Sequence, residues 1–518
     1  MDDKPHSVAR GVCSETLVAV AWSLVQPLVK ARKKPDLRPS VLGGARDFIN
    51  GPGAFTMARR PMRQERRLAR ASFSSPSLSW LAPWSLALLL VSCTQQEIVP
   101  EPYRPTNAHE AYLYSLQRAQ LIGTALGRDW LAANHRALHQ ALSIATPYEE
   151  SLYVDPAEAF AAGYQFRVLR GQRTEVAVSL QAVQSMRVFI DLFRVNDEGG
   201  GGPAHVASGS KRDLRLAFEP REDGSYLLRI QPELLRGGRL TVNIRNVPSL
   251  AFPVAGQSVQ SIWSGFGAPR DGGRRDHHGV DIFAPRHTPV RAPSRSWVRR
   301  VNERTLGGRV VWLRDEERSL NLYFAHLQTQ EVVEGAWVNA GDVIGTVGNS
   351  GNARTTPPHL HFGIYLRGEG PIDPFPFIHE AEGEARHAAV DLELLGGWAR
   401  ARNDHIALHL APDTRGEVVT TFERHVPLRV LGGTANLFRV GAPGGTIGFA
   451  EGRFLESAAE PIRLDEITQA RTVLTDATPE APVREHIAPG EAVPVLGRFG
   501  AYLFVQTRDG GRGWLPME

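Results

Sequence analysis

Two histidines flank one leucine in "PPHLHFGI" (357–364), a strand-like run that puts His359 and His361 on one face and Leu360 on the other. Their side chains would stand about 6 to 7 Å apart. One imidazole of such a pair can bind a metal while the other moves protons or steadies charge beside it. A half-buried strand that merely carries histidine is the alternative, so partners elsewhere in the chain must decide. "SGFGAPRDGGRRDHHGVDIFAP" (264–285) supplies them. His277 lies four residues before Asp281 with Gly279 between them, and a straight strand would hold those side chains about 13 Å apart, too far for one ion. The chain must therefore bend, and glycine permits the bend. His278 competes with His277, and only register separates them. Adding His361 gives two imidazoles and one carboxylate, a set that suits Zn2+ with a fourth position open for water. Zinc lowers the pKa of such a water to about 7, which points to a hydrolase. Neither HExxH nor CxxC occurs, which excludes the helical zinc-protease and zinc-finger patterns.

Further pieces follow in order: "YFAHL", "VNAGDVIGTVGNSGN" and "IDPFPFI". Together with "SGFG", "HHGVDIFAP" and "PPHLHF", across about 260–378, they resemble the lysostaphin-type (LytM-type) zinc endopeptidases that cut peptides of peptidoglycan. The resemblance implies that His277, Asp281 and His361 hold one zinc ion per chain, and that His326 and His359 are catalytic. Amide hydrolysis needs a base for the attacking water and a proton for the leaving amine. His359 suits both tasks, and His326 could donate a hydrogen bond to the developing oxyanion. Burial near a dication would favour neutral imidazoles. His287 lies beyond the motif in a turn and reads as structural. The "GNSGNARTTPPHLHF" loop is longer than the family pattern, and its Arg354 either meets a substrate carboxylate or is a solvated charge. Some relatives have lost ligands and act as non-catalytic wall-binding regulators that activate a separate amidase, but all five polar positions are filled here. Which peptide bond is cut stays open, with a D-alanyl to diaminopimelate cross-link expected in a diderm envelope.

The elements that must position these residues belong to a chain of 518 residues, 42% hydrophobic and 22% charged. Its 50 glycines and 36 prolines favour turns and short strands, so a mainly β, multidomain protein is expected. Residues 94–149 hold a polar tether and amphipathic helices, with Asn107 a helix N-cap and His109, His135 and His139 on the surface. Six alternating runs in 150–255 suggest a β-sandwich without chemistry of its own. The antiparallel β metallopeptidase domain covers 258–380. An internal repeat then relates 426–450 to 492–515, matching Leu431 with Leu496, Phe438 with the neighbourhood of Phe504, and Gly448-Phe449 with Gly513-Trp514. These units, 388–457 and 462–518, resemble two small bacterial SH3-like barrels, which either bind cell wall or act as spacers.

The leader carries the basic charge. Residues 1–93 hold 14 Lys+Arg against 6 Asp+Glu, a net of +8, which leaves 45 against 49 for the remainder. No basic stripe with interleaved aromatics remains, which argues against a nucleic-acid partner. Residues 57–93 pair a cationic stretch with a short apolar run that ends in "LVSC", resembling a bacterial lipoprotein signal with Cys93 lipidated. An ordinary secretory signal or a membrane anchor is the alternative. Lipidation implies anchoring in the cell envelope, with the outer membrane facing the periplasm favoured by Thr94. Residues 1–56 fit no export signal and read as a mis-annotated upstream segment. Cys13 and Cys93 are the two cysteines, so neither a disulfide nor a cysteine-bound metal is expected. Oligomeric state is left open.

Overall fold

The computed structural model describes residues 103–182, 184–196, 202–380 and 383–517. The expected leader, Cys13, Cys93, the start of the tether and residues 197–201 of the glycine-rich connection lie outside them. Two helices come first. Asn107 caps Ala108–Arg118 by accepting from the Glu110 amide at 2.8 Å, and Thr124 caps Ala125–His139 by accepting from Gly127 at 3.2 Å. Tyr112, Leu116 and Trp130 turn inward from these helices onto Phe189. His109, expected at the surface, is instead buried with them. Its Nε2 meets Gln231 Oε1 at 2.7 Å and its ring stacks on Trp130. Burial, helped by the Arg229 charge, pushes its pKa down to about 3, so the ring is neutral. His135 and His139 are exposed as expected.

All six alternating runs form strands, in two sheets that enclose one core from Ile144 to Ile244. One sheet orders Leu142–Ser143, Ala162–Val168, Gly224–Pro232, Val188–Arg194 and Ala204–Ser208. The other contains Tyr148–Val154, Gly238–Pro248, Gln172–Gln181 and Arg215–Phe218. Tyr148–Val154 was not visible in the sequence pattern, because "YEESLYV" is buried on both faces and carries a glutamate inside. It is also the seam of the molecule. Ser151 and Leu152 pair with Gly433 and Gly432 of Pro427–Thr434, so the sandwich sheet runs on into the first C-terminal repeat as one sheet of eleven strands. Gly432 is required there by closeness, since a Cβ would lie 2.9 Å from Leu152 Cδ2.

Each repeat is a meander of three strands: Pro427–Thr434, Leu437–Gly441 and Ile447–Glu451 in the first, Ala492–Phe499, Tyr502–Gln506 and Arg512–Pro516 in the second. Both carry a bulge at the same place, Leu431 and Leu496. Strand pairing leaves both sheets open among the described residues. Register sets Phe504 against Gly497 as it sets Arg439 against Gly432, so the counterpart of Phe504 is Arg439 rather than Phe438. Arg439 is largely buried, and its Nη2 meets Oε2 of fully buried Glu150 at 2.7 Å. The same oxygen accepts from Tyr148 at 3.1 Å and Tyr164 at 2.8 Å. Where the second repeat has core Phe504, the first has half of an ion pair with the sandwich.

A ten-stranded antiparallel sheet lies between these regions in sequence. Its main order is Ile262–Ser264, Val280–Phe283, His359–Leu366, Leu320–Gln330, Gly308–Asp315, Ser296–Arg304 and Trp337–Val338. Alternation divides its faces: Leu360, Phe362 and Ile364 enter the core with Phe324, Leu313 and Val298, while His359, His361 and Tyr365 point the other way. The sandwich meets this sheet at the strand ends remote from His359. There Arg318 pairs with Glu219 at 2.8 Å, Arg170 pairs with Glu369 at 2.7 Å, and the Leu250 amide donates to Phe377 O.

Removing one partner of a buried pair leaves an uncompensated charge. Arg439→Met should therefore destabilise the protein by about 3 to 5 kcal/mol. Adding Glu150→Gln should recover most of that loss, because the glutamine oxygen still accepts from both tyrosines. Urea unfolding of the single and double variants checks this, and a double variant no more stable than Arg439→Met would contradict it.

Candidate metal centre

One cross-strand row organises the site. Ser264, Asp281, His361 and Ala325 stand directly opposite one another on four adjacent strands. Asp281 and His361 thus share the open face, with Asp281 Oδ1 3.0 Å from His361 Nδ1. His277 arrives from the hairpin that precedes this row, where its amide donates to Ala268 O and its carbonyl accepts from Gly267. Its Nε2 lies 2.9 Å from Asp281 Oδ1 and 2.9 Å from His361 Nδ1. Gly279 makes this approach feasible by its lack of a side chain, because a Cβ would sit 2.5 Å from Phe362 O and 2.8 Å from the His361 ring. The bend expected of this glycine needs no left-handed backbone; closeness is the requirement.

Three lone-pair atoms within 3.0 Å of one another form a site that asks for a cation. Two imidazole nitrogens and a carboxylate oxygen are the donor types zinc takes, and their spacing is slightly under the ~3.3 Å of tetrahedral ligands held at 2.0 to 2.1 Å. His277 Nδ1 donates to Gly265 O at 2.8 Å, which fixes its tautomer and turns the bare Nε2 inward. Burial opposes ionisation of Asp281, but its close contacts with the His277 and His361 rings outweigh it and hold the carboxyl well below the usual range. Burial also lowers the pKa of His361, against the pull of Asp281. The donor set fits zinc.

His359 and His326 flank this cluster. The His326 ring is 5.0 Å from that of His359 and 6.0 Å from that of His361. His326 sits at a bulge where its strand changes partner: Ala325 pairs with His361, whereas Leu327 pairs with Val347. Its φ of 61° is left-handed, unusual for a residue with a side chain, and the bulge re-aims the ring toward the cluster. Nδ1 of His326 donates to Ser350 O at 2.9 Å, and Nδ1 of His359 to Pro357 O at 2.9 Å. Both rings therefore leave Nε2 for partners on the cluster side. Burial first, then the charges of His359 and His361, push the His326 pKa down to about 4. A neutral His326 with its proton on Nδ1 leaves Nε2 able to accept a hydrogen bond.

Residues 275–374 match Peptidase family M23. This segment is an M23 peptidase domain. Among curated relatives, the L-Ala--D-Glu endopeptidase of Bacillus subtilis (strain 168) is 37% identical over 143 residues, 26% of this chain and 44% of that protein. The peptidoglycan DD-endopeptidase ShyC of Vibrio cholerae serotype O1 is 34% identical over 100 residues, 19% of this chain and 22% of that protein. The chain thus spans less than half the length of these relatives. The catalytic domain of lysostaphin from Staphylococcus simulans is 32% identical, covering 22% of this chain and 87% of that structure, with a TM-score of 0.20.

Within the M23 domain the doublet resolves by register: His277 is buried in the cluster and His278 is exposed. His287 is exposed in a left-handed turn away from the cluster, and Arg354 lines a groove beside it. Sequence reasoning missed Arg270. Its Nη2 donates to Asp281 Oδ2 at 2.8 Å and to Ser264 Oγ at 2.5 Å, leaving Oδ1 for the cluster. The only signal was an arginine seven residues before His277, and nothing but the closed hairpin brings it to the carboxylate. An aromatic stack was also missed: Trp263, 71% exposed, lies on Phe283 at 4.5 Å, and Phe283 lies on His359 at 4.9 Å.

Zinc content of purified variants follows from this geometry. His277→Ala, Asp281→Ala and His361→Ala should each lose the ion, His278→Ala should keep it, and Arg270→Ala should weaken affinity by about 10 to 100-fold. Chelator competition with metal analysis measures all five. Full occupancy in the first three, or loss in His278→Ala, would overturn the ligand set.

Proposed function

We propose that this protein is a zinc-dependent endopeptidase that hydrolyses peptide cross-links of peptidoglycan during cell-wall remodelling. One observation carries the reading. A buried His277–Asp281–His361 cluster shares one sheet face with two histidines whose Nε2 atoms are left for partners on the cluster side, inside a segment that matches a peptidase family. Zinc held by the three ligands would act as a Lewis acid and make water a nucleophile near neutrality. The chain's own residues then handle the protons. His359 Nε2 takes the proton of the attacking water and returns it to the leaving amine. His326 Nε2 accepts a hydrogen bond from that water and orients it. Arg270 holds Asp281 by its outer oxygen, and the Trp263–Phe283 stack fixes the plane of the His359 ring.

A non-catalytic regulator would not need both proton-handling histidines beside a complete ligand set, so that reading is not favoured. The relatives named for peptidoglycan cleavage support a substrate in the cell wall. Lipidation of Cys93 would tether the enzyme to the outer membrane facing the periplasm, and the C-terminal repeats would serve as SH3-like wall-binding modules. Among the described residues no helix is long and apolar enough to cross a membrane.

His359→Ala separates catalysis from metal binding. It should keep zinc yet lose peptidoglycan cleavage by a factor on the order of 10² or more, and His326→Ala should lose less. Muropeptide release at matched zinc content is the measurement. Equal release by wild type and His359→Ala would remove the catalytic reading.

A further inference from the structure

The open face of the M23 sheet continues past the cluster into a groove. Arg304, Leu306, Gly307, Tyr323, Asn352 and Arg354 line it. Tyr323 connects groove to cluster, since its ring stands 5.8 Å from that of His361. Gly307 leaves room for it; a Cβ there would lie 2.1 Å from the Tyr323 hydroxyl.

The walls are locked together through backbone. The Asn352 amide donates to Leu306 O at 3.1 Å. Gly308 and Gly351, both left-handed, cross so closely that a Cβ on Gly351 would be 2.3 Å from Gly308 N. Ser350 Oγ accepts from the Arg309 amide and donates to Leu327 O, each at 2.9 Å. Ser350 O also holds His326, so one loop orients a proton-handling histidine and builds a groove wall. The groove is preformed.

Its charge is distinctive. Arg304 and Arg354 are exposed, and neither guanidinium meets a carboxylate among the described residues. Glu303 lines the same groove and leaves the two arginines in excess. Arg304 is felt at the floor, where its charge opposes the burial and the Tyr365 ring that together push the Tyr323 phenol up to about 12. Two guanidiniums without a carboxylate partner lining one groove suit a carboxylate, a planar anion that a guanidinium takes bidentately.

We propose that Arg304 and Arg354 bind a carboxylate of the substrate peptide, so that the preferred substrate is an anionic stem peptide and not a neutral glycine bridge. This rests on the endopeptidase reading above and adds the substrate class. The two arginines act in binding, remote from the proton transfers, so their loss should raise KM and spare kcat.

The test uses the zinc-loaded full chain and two soluble cross-linked muropeptides, identical except that the stem carboxylates are free in one and amidated in the other. Wild type should show a KM at least about 10-fold lower for the free carboxylate. Arg304→Ala and Arg354→Ala should each raise that KM about 10-fold and leave the amidated peptide unchanged, with partial recovery in the lysine variants. Equal KM for the two peptides in wild type, or no change in either alanine variant, would overturn the proposal. Cleavage of neither peptide would instead overturn the endopeptidase reading. Calorimetry with zinc-bound His359→Ala then decides the groove by itself: tighter binding of the free carboxylate, lost when Arg354→Ala is added, supports it, and equal binding of both peptides rejects it.

Discussion

The register that sets Asp281 opposite His361 is the constraint on which the site depends. Side chains alternate along a strand, so a slip of the His359–Leu366 strand by one residue would turn His361 into the core, away from Asp281, and bring Leu360 to the open face. The core resists such a slip, because Leu360, Phe362 and Ile364 are fully buried in one cluster with residues of the neighbouring strands. Apolar packing on one face therefore fixes the polar chemistry on the other. His277 needs more than register. It comes from outside the strand, and only the bare backbone of Gly279 lets it close on the pair.

The second constraint is the partner change at His326. Up to Ala325 the strand pairs with that of His361, and from Leu327 it pairs with Val343–Val347. The residue between is left with a left-handed backbone, and its ring is turned toward the cluster. The loop that follows Val347 then returns Ser350 to hold that ring. Strain at one residue is thus matched by a partner supplied from a separate segment.

Much of this was legible in the sequence because it is local or periodic. Alternation marked Leu360 and Phe362 against His359 and His361, and His277, Asp281 and His361 could be gathered by ligand type. The six sandwich runs showed the same period. What was hidden depends on pairing across distance. Arg270 reaches Asp281 only when the hairpin closes, and the His326 tautomer is set by a carbonyl 24 residues away. Tyr148–Val154 escaped because both its faces are buried, which erases alternation. The placement of His109 failed for a related reason: its partners Gln231 and Trp130 lie on other elements.

The pairing of Ser151–Leu152 with Gly432–Gly433 has a consequence for synthesis. The peptidase segment is threaded as an insertion between two halves of one sheet, and the second half leaves the ribosome after it. Until then Tyr148–Val154 has its place beside Gly238–Pro248 but no neighbour on its other side, and Glu150 waits without its arginine. A nascent chain that has already formed its M23 sheet still carries an open strand edge, the feature through which β-proteins join unintended partners. Closing that seam requires a loop of some 280 residues, whose entropy grows only slowly with length, so the inserted domain can be large without making the closure prohibitive.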